Sequence, residues 1–194
     1  MLSMVRDRRS VADPPTGGDG KKGEGMTAQI PTNAEQRAHH EAGHALMNLL
    51  QGFSVQSVSL EPPLTKTVSL PALEAVPLAE RWRPTLRIIR TLYAGAVAEE
   101  ICFGATDAAN VGVDNYWIDL LANFYFPADR REVWLGKLRQ ETAELLRQPV
   151  NQQRVRTIAA ALLQEDLLEE ARLQELVGEV EASVEAWHDA VADG

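Results

Sequence analysis

Apolar residues return every three or four positions along most of the chain, which is the spacing of an amphipathic helix. Alanine and leucine residues follow this spacing over residues 33–51, and Gly52 is well placed to end the helix. A second strong helix is predicted over residues 84–102, with Gly104 as its stop. Further helices are predicted over residues 116–126, 131–146 and 150–165. Trp117, in the first of these, is expected to pack in the core, and lining a functional site is the alternative considered for it.

A period-two pattern separates the first two helices. Residues 53–60, FSVQSVSL, alternate apolar and polar side chains with one slip, and two prolines follow soon after. This alternation predicts a short strand, and TKTVSL at residues 65–70 predicts a second. We therefore expect a mainly helical fold with a short β-hairpin or pair of strands between the first two helices.

The two ends of the chain lack such patterning. Residues 1–30 are charged and rich in glycine and proline, so they cannot bury enough apolar surface to offset the entropy of ordering. They are predicted to be a disordered tail, and Met26 is a candidate for the natural start of the protein. Residues 181–194 are predicted to be a frayed acidic tail, which leaves one folded domain over residues 31–180.

Composition and charge narrow the class of protein. Of 194 residues, 45% are hydrophobic and 24% are charged, which is typical of a soluble globular domain. The net charge of −9 argues against nucleic acid or a membrane surface as the partner. No apolar run is long enough to span a bilayer, and a single cysteine excludes an internal disulfide. We therefore expect a cytoplasmic protein.

The first predicted helix carries three of the four histidines of the chain. Residues 40–44, HEAGH, form the pattern H-E-x-x-H, in which positions i and i+4 lie on one helix face. His40 and His44 can therefore bind one metal ion, with Glu41 beside them as a general base. His39 lies about 100° around the helix, so a packing or surface role is expected for it. The pattern predicts a catalytic zinc site that needs a third ligand.

An ordinary helix with incidental histidines is the alternative to this metal site. Gly43 argues against it, because a glycine inside a helix costs about 1 kcal/mol relative to alanine. We therefore expect another segment to pack closely against the helix backbone at Gly43.

Three segments, in order, resemble the peptidase domain of the FtsH family, the zinc proteases of membrane-anchored AAA+ proteins. Residues 39–50, HHEAGHALMNLL, resemble its active-site helix, and residues 92–104, LYAGAVAEEICFG, resemble its Gly-x-x-Ala-Glu-Glu helix. Residues 111–122, VGVDNYWIDLLA, resemble its segment with an aspartate just before a helix. Residues 154–176 resemble its closing helices, so the resemblance spans about residues 34–178. It implies a helical, zincin-like metallopeptidase domain that uses Zn²⁺ to hydrolyse peptide bonds.

The resemblance also implies that Asp114 is the third zinc ligand, just before the next helix. The residues alone leave this ligand open, because Glu99 and Glu100 lie on the second predicted helix and Asp107 and Asp119 are close to Asp114 in sequence. A glutamate of this kind can instead orient a ligand histidine by a hydrogen bond. We rank Asp114 first, Glu99 second and Glu100 third.

The chain departs from the family pattern in two respects. It contains no G-x-x-x-x-G-K-[ST] phosphate-binding loop and no membrane anchor, so the resemblance is to the peptidase domain alone. Residues 60–77 replace a glycine-rich strand that lines the family's cleft. We expect a peptide or an already unfolded protein as substrate. A homo-oligomer or a separate ATPase is considered as the partner.

Three functions follow from these observations. The chain is an ATP-independent zinc metalloendopeptidase, a catalytically silent regulatory module that binds metal on the same fold, or a subunit that acts only with a partner. Glu41 favours the peptidase, because a purely structural metal site needs no general base.

Overall fold

The computed structural model of this protein describes residues 33–61, 66–68, 77 and 80–180. The elements in chain order are α1 (Asn33–Leu50), β1 (Ser54–Ser59), β2 (Lys66–Val68), α2 (Trp82–Phe103), α3 (Ala108–Tyr125), α4 (Arg131–Arg147), α5 (Pro149–Glu165), β3 (Leu167–Glu169) and α6 (Glu170–Val177). The mainly helical fold predicted from the sequence is confirmed. The predicted tails at residues 1–30 and 181–194, and the candidate start at Met26, lie outside the described residues.

The predicted bounds of four helices, α1, α2, α4 and α5, agree with the structure to within about two residues. The end of α2 shows why these bounds could be predicted from the sequence. Gly104 has a φ of 76°, a left-handed conformation that glycine adopts without steric cost, and its N–H donates a hydrogen bond to the Glu100 carbonyl at 2.9 Å. None of the described helices is long and apolar enough to cross a membrane.

The strands form a small antiparallel sheet in the order β2-β1-β3. Pairing of β1 with β2 confirms the hairpin predicted between the first two helices. The third strand, β3, was not predicted, because it is only three residues long and lies in a segment with helical spacing. It forms where Asp166 adopts a positive φ of 54° and ends α5, after which Leu168 pairs with Val58 of β1.

Two apolar clusters make up the described core. The larger one lies where α1, α5 and the sheet meet, and its largest fully buried members are Leu46, Met47, Leu146, Ile158, Leu162, Leu168 and Leu173. The smaller one joins α2, α3 and α4 through Leu86, Ile89, Ile118, Ala122, Phe126 and Leu138. Helix α1 therefore belongs to the larger cluster, whereas α3 is anchored in the smaller one, and α2 packs between them.

Helices α1 and α2 approach each other very closely at Gly43. A Cβ atom built on Gly43 would lie 2.4 Å from the Ala94 carbonyl oxygen and 2.8 Å from the Ala98 Cβ, both on α2. These distances are too short for a real side chain, so only glycine fits. The close contact expected at Gly43 from the sequence is thereby confirmed, and it brings the α2 backbone next to the histidine-bearing face of α1.

Helix α3 begins earlier than the sequence predicts. Its start was predicted at residue 116, but the helix starts at Ala108, with Asp107 as its N-cap accepting a hydrogen bond from the Ala109 N–H at 2.9 Å. The prediction that Asp114 precedes the helix is therefore wrong, because Asp114 lies in its second turn. The reason is a contact with the preceding helix: the Glu99 carboxylate on α2 accepts a hydrogen bond from the Asp107 N–H and holds this end of α3.

We predict that Gly43→Ala lowers the free energy of unfolding by about 1–3 kcal/mol, because the new methyl group would collide with backbone atoms of α2. Urea denaturation followed by circular dichroism measures this change as a lower transition midpoint.

The matched control is Gly136→Ala in α4, where a Cβ atom would meet no heavy atom within 4 Å. This substitution is expected to leave stability unchanged or raise it by up to about 1 kcal/mol. Equal stability of the Gly43→Ala protein and the wild type would contradict the close contact.

Candidate metal centre

Three side chains from two helices meet in one small space. His40 and His44 lie on α1 and are buried, and Asp114 reaches them from α3. The Nε2 atoms of the two histidines are 3.0 Å apart. The Oδ2 atom of Asp114 is 3.0 Å from the Nε2 atom of His40 and 3.0 Å from that of His44. The three atoms thus form a nearly equilateral triangle.

The hydrogen bonds of the two Nδ1 atoms determine whether the two Nε2 atoms carry a proton. The Nδ1 of His44 lies 2.7 Å from the Thr91 carbonyl oxygen, which can only accept a hydrogen bond, so this nitrogen carries a proton. The Nδ1 of His40 lies 2.7 Å from Oε1 of Glu99 and donates to it in the same way. In their neutral forms both rings therefore direct a bare Nε2 lone pair toward the carboxylate oxygen of Asp114.

The charges around the triangle favour a positive charge at its centre. Burial alone would lower the pKa of His40, but hydrogen bonds to Asp114 and Glu99, with the negative charges of Asp114 and Glu41, raise this pKa to about 9. Burial alone would raise the pKa of Asp114, but its contacts with His40 and His44 lower it to about 2. Three acceptor atoms at such short distances need either a proton or a cation between them.

A divalent metal ion fits this donor set. Two imidazole nitrogens and one carboxylate oxygen are a common ligand set for catalytic zinc, and bonds of about 2.0–2.1 Å in a tetrahedral arrangement place ligand atoms about 3.3 Å apart. The separations here are 3.0 Å. The group His40, His44 and Asp114 could therefore hold a metal ion with only a small outward movement of its side chains.

Glu99 lies outside this triangle but is connected to both sides of it. It is fully buried on α2 and accepts hydrogen bonds from the Nδ1 of His40, from the Asp107 N–H at 2.7 Å and from the Asn110 side-chain amide at 3.0 Å. The Glu99 carboxylate thus orients the candidate ligand His40 on α1. It also holds the first turn of α3, the helix that carries the candidate ligand Asp114. Of the two roles considered for Glu99, the geometry matches that of an orienting partner.

The remaining carboxylates considered from the sequence do not join the group. Glu100 forms an ion pair with Arg139 of α4 and is turned away from the histidines. Asp107 caps α3, and Asp119 is exposed on the same helix. The structure therefore brings together His40, His44 and Asp114, and neither Glu100, Asp107 nor Asp119 contributes an atom to the triangle.

Glu41 is buried on α1 between the two histidines in sequence. It is close enough for its negative charge to raise the pKa of His40. His39, in contrast, faces away: its Nδ1 is 2.8 Å from the Glu35 carbonyl oxygen, and its ring packs edge-on against Phe103 with 4.8 Å between ring centres. The packing role predicted for His39 is confirmed.

Sequence reasoning missed two contributions of α2 to the site. A Cβ atom on Gly95 would lie 2.6 Å from the Nε2 of His40 and 2.7 Å from the Nε2 of His44, so only glycine leaves room for both rings. The Thr91 carbonyl oxygen, one turn earlier, orients His44. A glycine inside a predicted helix was the available signal for Gly95, as it was for Gly43, whereas a backbone carbonyl leaves no trace in the sequence.

Comparison with known proteins adds no family assignment. Neither the protein-family models nor the curated proteins searched contain a match to this chain. The resemblance to the FtsH family thus stands on the three sequence segments, and the metal centre stands on its own geometry.

We predict that Gly95→Ala strongly weakens metal binding, because its methyl group would occupy the space of both Nε2 atoms. Isothermal titration with Zn²⁺ after removal of bound metal measures the affinity. Gly112→Ala is the control, because a Cβ atom there meets no heavy atom within 4 Å. Wild-type affinity in the Gly95→Ala protein would contradict the proposed position of the metal.

Glu99→Gln is expected to lower metal affinity roughly 10–100-fold, since a neutral amide holds the His40 ring less firmly than a carboxylate does. Competition with a chromogenic zinc chelator gives this ratio directly. The neighbouring variant Glu100→Gln keeps the same change of charge one residue away and should bind metal like the wild type. Similar losses in both variants would show that overall charge, rather than the His40 hydrogen bond, is responsible.

Proposed function

We propose that this protein is a zinc-dependent metalloendopeptidase of the FtsH peptidase-domain type, acting without ATP on peptides or unfolded proteins. The observation that carries the proposal is the triangle of His40, His44 and Asp114 atoms, 3.0 Å apart, with the buried Glu41 on the same helix. Zinc is preferred because two imidazoles and one carboxylate form a common catalytic zinc ligand set. The resemblance of the three sequence segments points to the same activity.

The proposed roles follow from the contacts of each residue. His40, His44 and Asp114 would hold the ion, and the Asp114 carboxylate would offset part of its charge. Glu99 and the Thr91 carbonyl keep both Nδ1 atoms protonated, so that both Nε2 atoms remain available as ligands. When bound, zinc supplies a Lewis acid that makes water acidic enough to lose a proton near neutral pH.

Glu41 is the residue that distinguishes a peptidase from a metal-binding module. Its buried carboxylate is close enough to raise the pKa of His40, and in this proposal it accepts the proton of the attacking water and passes it to the departing amine nitrogen. A structural metal site is complete with its ligands and needs no general base, so an acidic residue at this place in the H-E-x-x-H pattern supports catalysis.

The substrate class belongs to the proposal. Residues 1–194 contain no G-x-x-x-x-G-K-[ST] phosphate-binding loop. The proposal takes a short peptide or an already unfolded chain as the substrate.

The first test combines metal analysis with cleavage of unfolded casein. We expect about one zinc per wild-type chain and loss of both zinc and cleavage in Asp114→Ala, with a fall in affinity larger than the roughly 10–100-fold caused by losing an outer hydrogen-bond partner. Asp119→Ala, an exposed carboxylate on the same helix, is the control and should retain both properties.

Glu41→Gln separates catalysis from metal binding in the same assay. It should keep its zinc and lose cleavage by about 10²–10⁴-fold, the usual contribution of a general base. Zinc bound without any cleavage by the wild type would support the regulatory module instead. Folded wild-type protein that binds no divalent metal would overturn the proposal.

A further inference from the structure

Helix α3 exposes a continuous apolar stripe on the side that faces away from the core. Val113, Trp117, Leu120 and Phe124 are 68%, 47%, 44% and 73% exposed. Trp117 was expected in the core, and that prediction is wrong; its ring instead packs edge-on against Tyr116, itself exposed, with 5.6 Å between centres. We call these four residues the α3 stripe.

The spacing of the α3 stripe is that of a helix–helix seam. Its members follow each other at intervals of four, three and four residues, which is the a/d repeat of a coiled coil. The buried residues of α3, Ile118 and Ala122, lie on a different face and belong to the core. The α3 stripe is therefore extra apolar surface that the described part of this chain does not cover.

The pattern of large and small side chains matches a second copy of the same helix. In an antiparallel pair, Trp117 faces Leu120 of the other copy and Val113 faces Phe124, so each large ring meets a smaller side chain. A parallel pair would place Trp117 against Trp117. We propose that the protein forms a two-fold symmetric dimer through antiparallel packing of the two α3 stripes.

The charge distribution fits this contact. The chain carries a net charge of −9, so two copies repel each other over most of their surfaces. The α3 stripe contains no charged residue. The positions flanking it are Tyr116 and Asn123 on one side and Asp114 and Leu121 on the other, and the Asp114 side chain is only 15% exposed because it contacts His40 and His44. Two copies can thus meet there without bringing like charges into contact.

The exposed area is sufficient for a specific interface. A fully exposed aromatic side chain presents about 150–250 Å², so Tyr116, Trp117 and Phe124, at 63%, 47% and 73% exposure, contribute roughly 370 Å² per copy. Two copies then bury about 700 Å² of aromatic surface, and Val113 and Leu120 bring the total near the roughly 1,000 Å² that a specific interface needs.

The length of the α3 stripe suits a second helix. From Val113 to Phe124 it spans twelve residues, or about 16 Å along the helix axis. A second α3 that lies antiparallel to the first covers this full length.

The test is the mass of the full chain in solution, measured by light scattering after size exclusion. We expect the wild type at twice the chain mass of 21.4 kDa and Leu120→Glu at once that mass, with Kd raised roughly tenfold or more because each copy then places a carboxylate in the apolar seam. Leu163→Glu in α5 is the matched control, since Leu163 is 40% exposed and lies outside the α3 stripe; it should remain a dimer.

Several outcomes would overturn the dimer. A wild-type monomer at high concentration would mean that another part of the chain or a different partner covers the α3 stripe. A dimer that persists in Leu120→Glu would place the contact elsewhere. Circular dichroism confirms that each variant is folded, and zinc content is measured alongside, so loss of the dimer and loss of the metal site are separate results.

Orientation is tested by disulfide formation in a Cys102→Ser background, which removes the only native cysteine. Trp117→Cys and Leu120→Cys proteins carrying different tags are mixed and oxidised. The antiparallel seam predicts disulfides mainly between the two variants. A predominance of disulfides within each variant would indicate parallel packing and contradict the proposal.

Discussion

Three hydrogen-bond acceptors held 3.0 Å apart in a buried space are the constraint on which the rest of this structure depends. The nitrogens of His40 and His44 and the oxygen of Asp114 repel one another unless a positive charge lies between them. The pKa of His40, raised to about 9, and that of Asp114, lowered to about 2, are the response of the protein when a proton supplies that charge. A divalent metal ion between the three acceptor atoms would supply this positive charge in place of the proton, with twice its magnitude.

Helix α2 makes this arrangement possible although it provides no atom of the triangle. Gly43 lets it approach α1, and Gly95 leaves space for both imidazole rings. At that distance the Thr91 carbonyl and the Glu99 carboxylate reach the outer nitrogens of the histidines. The preference for glycine at two helical positions, each costing about 1 kcal/mol in propensity, is therefore explained by one close helix–helix contact.

The parts of the fold and site that sequence could predict are those set by local spacing. Helical periodicity gave α1, α2, α4 and α5, and the i, i+4 rule placed His40 and His44 on one face. Asp114 was identified as the third ligand only through the resemblance, because the residues alone left four other carboxylates as candidates. The start of α3 depends on a hydrogen bond from Asp107 to a side chain of another helix, and the strand β3 depends on pairing with β1, which is distant along the chain; neither contact is visible in local spacing. Exposure of Trp117 was missed because an aromatic residue with helical spacing suits a core and an interface equally well.

Because Glu99 contacts both His40 and the first turn of α3, binding of a metal ion by His40 and Asp114 would be linked to the docking of α3. Ile118 and Ala122 hold α3 in the apolar core, and the polar contacts of Glu99 hold its first turn. By this linkage, an interaction that favours the docked position of α3 would raise the metal affinity, and a bound metal ion would favour the docked position by the same factor. A metal ion bound at the site would thus also hold α3 in place, and the availability of that ion would set how firmly the outer face of the helix is held.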